Sequence, residues 1–264
     1  MHSRAVTDAP RISVLISSYN NARFVEKKLA EIKAQTGFAR AEFLFIETAS
    51  PERERELFAP FCRQHPNCRL LATEERQTLY QAWNLGWREA RAPILCYSNM
   101  DDTMHPRLLE EVVTAMEREK WDACSVLIAK QLASDPHLND WSSNRLRRLK
   151  LNIRPGPFTA WRTELADSVR MFDGEFVAAG DLDFWSRLVS HKCRIGLVPK
   201  ILYLYTKSAE QLSKSDRPRR ARDKVLLEGK PYQIGWHRGW RRRVFWLRYV
   251  ARVFPNLFCL PANT

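Results

Sequence analysis

The segment Arg11-Ile-Ser-Val-Leu-Ile-Ser17, followed by Ser18-Tyr-Asn-Asn21, decides the fold class of this 264-residue chain. The first part is a short apolar run with β-branched residues, which is typical of a buried strand. The polar residues after it can cap a helix whose apolar pattern includes Phe24 and Ile32. The segment therefore predicts a strand, a loop and a helix, in that order.

The same order of elements recurs along the next hundred residues. Apolar runs that precede amphipathic stretches lie at residues 42–46, 69–71 and 93–97, and the stretches that follow them lie at 52–64, 79–90 and 106–119. Repeated units of this kind predict an α/β fold, with a mostly parallel sheet flanked by helices on both faces. Ligands of such sheets bind at the carboxyl ends of the strands, so the loops there are the places to inspect.

The alternation of predicted strands and helices changes after the fourth unit. We expect one more strand over residues 122–128. Over the polar, basic and irregular stretch 133–154 we expect a surface helix with flanking loops over the mouth of the sheet. A helix is predicted after Gly180, and residues 195–205 predict a final pair of strands broken at Pro199.

Composition bounds the class of protein. Apolar residues make up 45% of the chain and charged residues 28%, which is typical of a soluble globular domain and excludes disorder, collagen and coiled coil. We expect neither a signal peptide nor a transmembrane helix, and the six scattered cysteines predict reduced thiols. The expected location is the cytoplasm, and the alternative is a peripheral position on the inner face of the cytoplasmic membrane.

The positive charge is concentrated at the carboxyl end. Residues 207–264 carry +10 of the formal net charge of +13, which points to an anionic partner. Aromatic residues alternate with arginines from Trp236 to Phe254, a pattern that suits an anionic membrane surface. A helix that packs its aromatic side on the domain explains the pattern equally well. Nucleic acid is not favoured, because a single-strand site would usually lie in a groove of the folded body.

Two acidic motifs could carry chemistry. Asn99-Met-Asp-Asp102 follows a buried run, and its adjacent carboxylates repel each other unless a divalent cation or a helix terminus offsets their charge. Asp181 lies at a helix start, where it could take a proton from an attacking hydroxyl. The alternatives are that Asp102 caps the next helix and that Asp181 is an ordinary N-cap.

Two further motifs are less specific. The segment Glu47-Thr-Ala-Ser-Pro-Glu52 follows the second strand, where a base or ribose would be bound, but it could equally be a capped turn. Asn84 lies inside the helical stretch 79–90, where it could bond a neighbouring loop.

Together, in this order, the motifs resemble those of the inverting, nucleotide-sugar-dependent glycosyltransferases of family 2, whose fold is called GT-A. The resemblance covers roughly residues 10 to 215 and includes an Ala-x-Asn-x-Gly signature at Ala82 to Gly86 and an exit segment at 196–205. Asn99 stands where the family has the first Asp of its Asp-x-Asp metal motif.

The resemblance implies a role for each matching residue. The nucleotide-sugar-binding set is Ser17, Tyr19, Asn20, Glu47, Thr48, Arg76, Asn84, Asn99, Met100 and Asp101. Asp101 and Asp102 would hold Mn²⁺ or Mg²⁺, and Asp181 would be the general base. The acceptor-side residues would be Trp161, Asp183 and Trp185.

The resemblance also implies an activity and a domain plan. The chain would transfer a sugar from a nucleoside-diphosphate sugar, with UDP favoured and GDP or dTDP as alternatives, to a glycan or glycolipid in cell-surface polysaccharide or lipopolysaccharide synthesis. The nucleotide-binding half would be residues 11–104 and the acceptor-binding half 105–215, between a tail at 1–10 and a basic extension at 216–264. The rival hypothesis is an inactive binding module whose basic tail binds a polyanion.

Overall fold

The computed structural model describes residues 9–135, 140–146, 149–152, 157–207 and 217–230. The aromatic and arginine-rich segment from Trp236 to Phe254 lies outside the described residues, so its role stays a prediction. None of the helices in the described ranges is both long and apolar enough to cross a bilayer.

Strands and helices alternate through the first half of the chain. The strands are β1 (Ile12–Ser18), β2 (Ala41–Thr48), β3 (Cys68–Thr73), β4 (Ile94–Tyr97), β5 (Thr103–Met104), β6 (Ala123–Leu132), β7 (Lys150–Asn152), β8 (Ala160–Arg162) and β9 (Ile195–Lys207). The helices are α1 (Val25–Lys33), α2 (Glu54–Gln64), α3 (Leu79–Glu89), α4 (Leu108–Glu119), α5 (Ser143–Leu146), α6 (Leu165–Ser168), α7 (Gly180–Ser190) and α8 (Arg217–Glu228).

The strands form one mostly parallel sheet in the order β3-β2-β1-β4-β8-β6-β9-β5, with β7 paired to β6. The β1 strand runs parallel to both β2 and β4, and Ser18 lies beside Glu47 in the register. The β8 strand runs antiparallel to β4 and β6. The predicted α/β class is confirmed, and the loops after β1, β2 and β4 leave the sheet at the same edge.

Alternation along β1 explains why helices cover both faces. Val14 and Ile16 face the core shared with α1, α2 and α4, whereas Leu15 faces the core shared with α3 and α7. Helix α3 approaches the sheet most closely at Gly86. A Cβ atom there would lie 2.6 Å from Ile46 and 2.7 Å from Leu15, so only glycine fits without displacing them.

One expectation about the second half needs correction. The predicted strand pair at 195–205 is one strand, β9, which runs parallel to β6. The register steps from Val198 to Ile201 between consecutive β6 residues, and the intervening Pro199 and Lys200 are exposed. A bulge tolerates proline because no ladder hydrogen bond is required there. In the described part of the segment 133–154, α5 agrees with the expected helix, and β7 is an additional strand that was not expected.

Candidate active site

The loop after β4 presents two adjacent carboxylates with different environments. Asp102 has no exposed surface, and its carboxylate accepts hydrogen bonds from Asn99 Nδ2 at 2.9 Å, the Tyr203 hydroxyl at 3.0 Å and the Thr206 backbone N–H at 2.8 Å. Burial, with the nearby charge of Asp101, raises the pKa of Asp102 to about 8. Asp102 therefore anchors the loop to β9, and its role as a metal ligand stays a prediction.

Helix α1 fixes the same loop from the other side. Lys28 is fully buried, and its Nζ donates to the Asp102 carbonyl oxygen at 2.9 Å and to Ser98 Oγ at 3.2 Å. It also pairs with Glu31 at 3.0 Å, and Glu31 accepts the Met104 N–H at 2.9 Å. A lysine in a helix is usually a solvated surface charge, so the sequence analysis did not predict this buried anchor.

Asp101 is the half-buried carboxylate of the pair. Burial raises its pKa, and the positive charges of Lys28, Lys27 and Arg23 oppose that rise. No cluster of three or more His, Cys, Asp or Glu side chains able to hold a metal occurs among the described residues. Asp101 is a residue that could hold a divalent cation, whose other ligands would then be phosphate oxygens of a nucleotide, an arrangement typical of Mg²⁺.

The nucleotide side of the site begins where β1 ends. The Arg76 guanidinium lies 4.1 Å from the centre of the Tyr19 ring, which brings together two predicted nucleotide-binding residues. Asn20 adopts a left-handed conformation with φ of 55°, and its N–H donates to Ser50 Oγ at 3.0 Å. Asparagine tolerates this conformation better than most residues. Ser17 Oγ accepts a hydrogen bond from the Trp83 indole at 3.2 Å.

A buried carboxylate that the sequence analysis missed supports this loop. Glu54, at the start of α2, accepts hydrogen bonds from Ser18 Oγ at 3.1 Å and from the Asn21 N–H at 2.6 Å. Glu54 has no exposed surface. An acidic residue in the first turn of a helix is usually explained by its favourable interaction with the helix dipole. The sequence therefore did not indicate that Glu54 supports the loop after β1.

Glu47 was expected to bind base or ribose, and the structure places it among partners within the protein. It is fully buried, and its two carboxylate oxygens accept hydrogen bonds from the Ser50 N–H and the Arg55 guanidinium. Both oxygens are engaged in shaping the turn after β2. Its neighbour Thr48 is also buried.

Asn84 anchors a neighbouring loop through its side-chain amide. Its side-chain amide donates to the Phe172 carbonyl oxygen at 2.7 Å and accepts from the Phe172 N–H at 3.0 Å. This is the bond to a neighbouring loop that the sequence left open. Met100 is 2% exposed and packs in the core beneath the β4 loop, so its side chain does not face a ligand.

Asp181 lies in the first turn of α7 and is half-buried. Its Oδ1 accepts the Leu182 N–H at 2.9 Å and lies 3.4 Å from the Tyr80 hydroxyl. Burial raises the pKa of Asp181 to about 6. The preceding Gly180 packs against Tyr80 so closely that a Cβ atom would lie 2.8 Å from its ring. Near neutral pH, Asp181 is a carboxylate able to accept a proton.

Asp181 also lies near the end of β4. Its charge, secondary to burial, raises the pKa of Tyr97, the last residue of that strand. The Tyr97 ring stacks on Trp83 with centroids 4.0 Å apart, and Trp83 bonds Ser17 at the end of β1. The proton acceptor and the carboxyl ends of β1 and β4 therefore belong to one region.

The three residues predicted for the acceptor side lie in the interior of the structure. Trp161 has no exposed surface and packs on Trp87 with ring centroids 5.1 Å apart. Asp183 pairs with Arg187 at 2.9 Å, and Trp185 donates its indole N–H to Thr159 Oγ1 at 3.0 Å. All three residues are buried, whereas Asp181 is half-buried.

The chain is similar in sequence to known glycosyltransferases. The family model of glycosyl transferase family 2 matches residues 13–163. The glycosyltransferase AglE of Haloferax volcanii is 29% identical over 108 residues, which cover 40% of this chain and 36% of AglE. An uncharacterized glycosyltransferase of Nostoc sp. is 25% identical over 107 residues, 40% of this chain and 33% of that protein. The match thus spans about a third of each curated relative.

Solved structures share the fold at low sequence identity. The S. aureus TarS 1-349 complex with UDP-GlcNAc superposes with a TM-score of 0.63 at 16% identity, covering 96% of this chain and 76% of that one. The mannosyltransferase PcManGT of Pyrobaculum calidifontis, in complex with GDP-Man and Mn²⁺, gives a TM-score of 0.58 at 18% identity, with 85% and 66% covered. These likenesses establish the GT-A type of fold.

Proposed function

The chain belongs to glycosyl transferase family 2 and is a glycosyltransferase, and we propose that it moves a sugar from a nucleoside-diphosphate sugar to an acceptor hydroxyl with inversion. The observation that carries the proposal is the position of Asp181. A carboxylate whose pKa is about 6 lies beside the end of β4, in the region that also holds Asp101 and the Tyr19–Arg76 pair. Such a group is ionised at neutral pH yet basic enough to accept a proton.

The reaction assigns one step to each group. The acceptor oxygen attacks the anomeric carbon from the face opposite the diphosphate, and its proton passes to Asp181. The bond between the anomeric carbon and the phosphate oxygen breaks, and the nucleoside diphosphate leaves with the electron pair. A divalent cation held by Asp101 would stabilise the charge on that leaving group. Tyr19 and Arg76 would hold the nucleoside end.

The donor is a nucleoside-diphosphate sugar of undetermined base. TarS binds UDP-GlcNAc and PcManGT binds GDP-Man with Mn²⁺, which supports both the donor class and the cation. UDP remains the favoured nucleotide, with GDP and dTDP as alternatives. Because both carboxylate oxygens of Glu47 are engaged within the protein, we assign base recognition to other groups.

We propose a glycan or glycolipid as the acceptor, in cell-surface polysaccharide or lipopolysaccharide synthesis on the inner face of the cytoplasmic membrane. The cationic carboxyl-terminal segment supports a membrane surface as partner. Deleting residues 233–264 should release the protein from anionic vesicles. Unchanged retention of the shortened chain would contradict this part of the proposal.

The experiment for the activity measures release of nucleoside diphosphate from a panel of UDP-, GDP- and dTDP-sugars, with a glycolipid extract as acceptor source. Asp181→Asn keeps the shape and the hydrogen-bond acceptor but loses basicity, so turnover should fall by about 100-fold or more while donor binding persists. The exposed Asp167→Asn is the matched control. Equal turnover in Asp181→Asn and the control would overturn the role of Asp181. The family identity favours this enzyme over an inactive binding module.

A further inference from the structure

Helix α8 places one buried carboxylate against the backbone that leads to Asp181. Asp223 is 2% exposed, although it lies in a strongly basic helix. Its Oδ1 accepts the Val177 N–H at 3.0 Å, and its Oδ2 accepts the Ala178 N–H at 2.7 Å. The two bonds hold consecutive peptide groups in one fixed orientation, and charged acceptors make such bonds strong.

The rest of α8 holds the same loop. Leu226 and Leu227, three and four positions after Asp223, share its helix face and pack against the core that contains α3 and α7. Just after the helix, Lys230 pairs with Asp173 at 2.6 Å. The segment 173–178 is therefore bound at one end by α8 and at the other by Lys230 just after it, and the first helix of the predicted extension is part of the packed domain.

Helix α3 supports the opposite side of the segment. Thr78 Oγ1 donates to the Gly174 carbonyl oxygen at 3.0 Å, and a Cβ atom on Gly174 would lie 2.7 Å from Gln81. The segment thus lies between α3 and α8 and enters α7 directly. No side chain at the N-cap position, Ala179, bonds the start of that helix. The carboxylate of Asp223 supplies the hydrogen-bond acceptors just before it.

From this geometry we propose that Asp223 is a positioning residue for the reaction, fixing the backbone that sets the place of Asp181. The inference rests on the proposed function, because it assumes that Asp181 takes the acceptor proton. Helix α8 then belongs to the catalytic machinery. A small displacement of a reacting group can cost about 100-fold in rate, so loss of this anchor should act on turnover.

The charge of Asp223 also acts on Asp181. The groups that face Asp181 are the hydroxyl of Tyr80 on α3, Tyr97 at the end of β4 and Asp223 on α8. The hydrogen bond from Tyr80 lowers the pKa of Asp181, whereas the negative charge of Asp223 raises it. Removing that charge should move the acidic limb of the rate profile to lower pH, which a purely structural role would not do.

The test compares Asp223→Ala and Asp223→Asn with Asp167→Asn in the full-length chain. We expect kcat for nucleoside diphosphate release to fall by about 10- to 100-fold in Asp223→Ala and less in Asp223→Asn. The donor Kd, measured calorimetrically, should stay within about twofold, and the acidic limb should shift to lower pH in both variants. Asp167→Asn should match the wild type.

Wild-type kcat and an unshifted pH profile in Asp223→Asn would overturn the inference, and that variant decides the matter if Asp223→Ala fails to fold. The two proposals fail separately. Full turnover in Asp181→Asn would refute the base assignment whatever Asp223 does. An inactive Asp181→Asn together with a fully active Asp223→Ala would refute only the positioning role.

Discussion

The Tyr80 hydroxyl lies 3.4 Å from Oδ1 of Asp181, so that helix α3 supports the carboxylate at the start of α7. Tyr80 is itself buried, and its ring packs on Gly180. The contact joins the two helices that cover the same face of the sheet. It also makes the protonation of Asp181 sensitive to a single hydroxyl group.

The first prediction concerns the pH dependence of transfer. A base must be ionised to act, so kcat/KM should rise with pH through a midpoint near 6, the pKa of Asp181. Tyr80→Phe removes a hydrogen bond that stabilises the carboxylate, so its midpoint should move to higher pH. Asp223→Asn should move it the other way. Rate profiles of the three proteins that share one midpoint would contradict this electrostatic description.

The second prediction concerns stability. Because burial raises the folded-state pKa of Asp181 above its unfolded value, the folded protein loses stability as pH rises from about 4 through 6. At pH 7.5, the free energy of unfolding of Asp181→Asn should therefore be about 1–2 kcal/mol higher than that of the wild type. The gain should shrink as the pH falls toward 4. Urea titrations at both values measure it, and an equal gain at each pH would contradict the linkage.

The third prediction concerns the buried ion pair of α1. Lys28→Met removes the ammonium and leaves Glu31 buried without its partner, which should cost about 3–5 kcal/mol of unfolding free energy. Adding Glu31→Gln removes the stranded charge but keeps an acceptor for the Met104 N–H, so part of the loss should be recovered. Denaturant unfolding of both variants tests this. A double variant less stable than Lys28→Met would show that the unpaired charge of Glu31 is not the main cause of the loss in stability.

The fourth prediction concerns backbone strain after β2. Ala49 has a φ of 51°, a left-handed conformation that costs a residue with a Cβ atom about 1 kcal/mol or more. Ala49→Gly should therefore raise the unfolding free energy by about 0.5–1 kcal/mol. Ala72→Gly in the adjacent strand β3 is the matched control and should lower it. If both substitutions destabilise, the conformation of Ala49 carries no strain that glycine relieves.

The strand and helix units could be predicted because each apolar run has a length and a boundary that belong to one element. The run 11–17 became Ile12–Ser18, and the loops that follow β1, β2 and β4 lie at one edge of the sheet as expected. The break predicted at Pro199 was wrong. A proline usually interrupts a strand, but here an exposed bulge in β9 accommodates it.

The roles of individual site residues were harder to predict, because distant partners decide them. Asp101 and Asp102 are chemically identical, and it is Tyr203 and Thr206 on β9 that engage only the second. Glu47 has the position of a ligand-binding residue, but its bond to Arg55 engages it within the protein. Asp223 is surrounded by basic residues in sequence, and only the fold shows that it is buried.

The most direct test of the proposed cation-assisted nucleotide site is calorimetric titration of the full-length protein with UDP, GDP and dTDP, with and without Mn²⁺. We expect saturable binding of at least one nucleotide that strengthens with Mn²⁺. We also expect Asp101→Asn to abolish this Mn²⁺ dependence, while Asp167→Asn retains it and both variants stay folded. Nucleotide binding with the same Mn²⁺ dependence in Asp101→Asn, or no binding of any of the three, would contradict it.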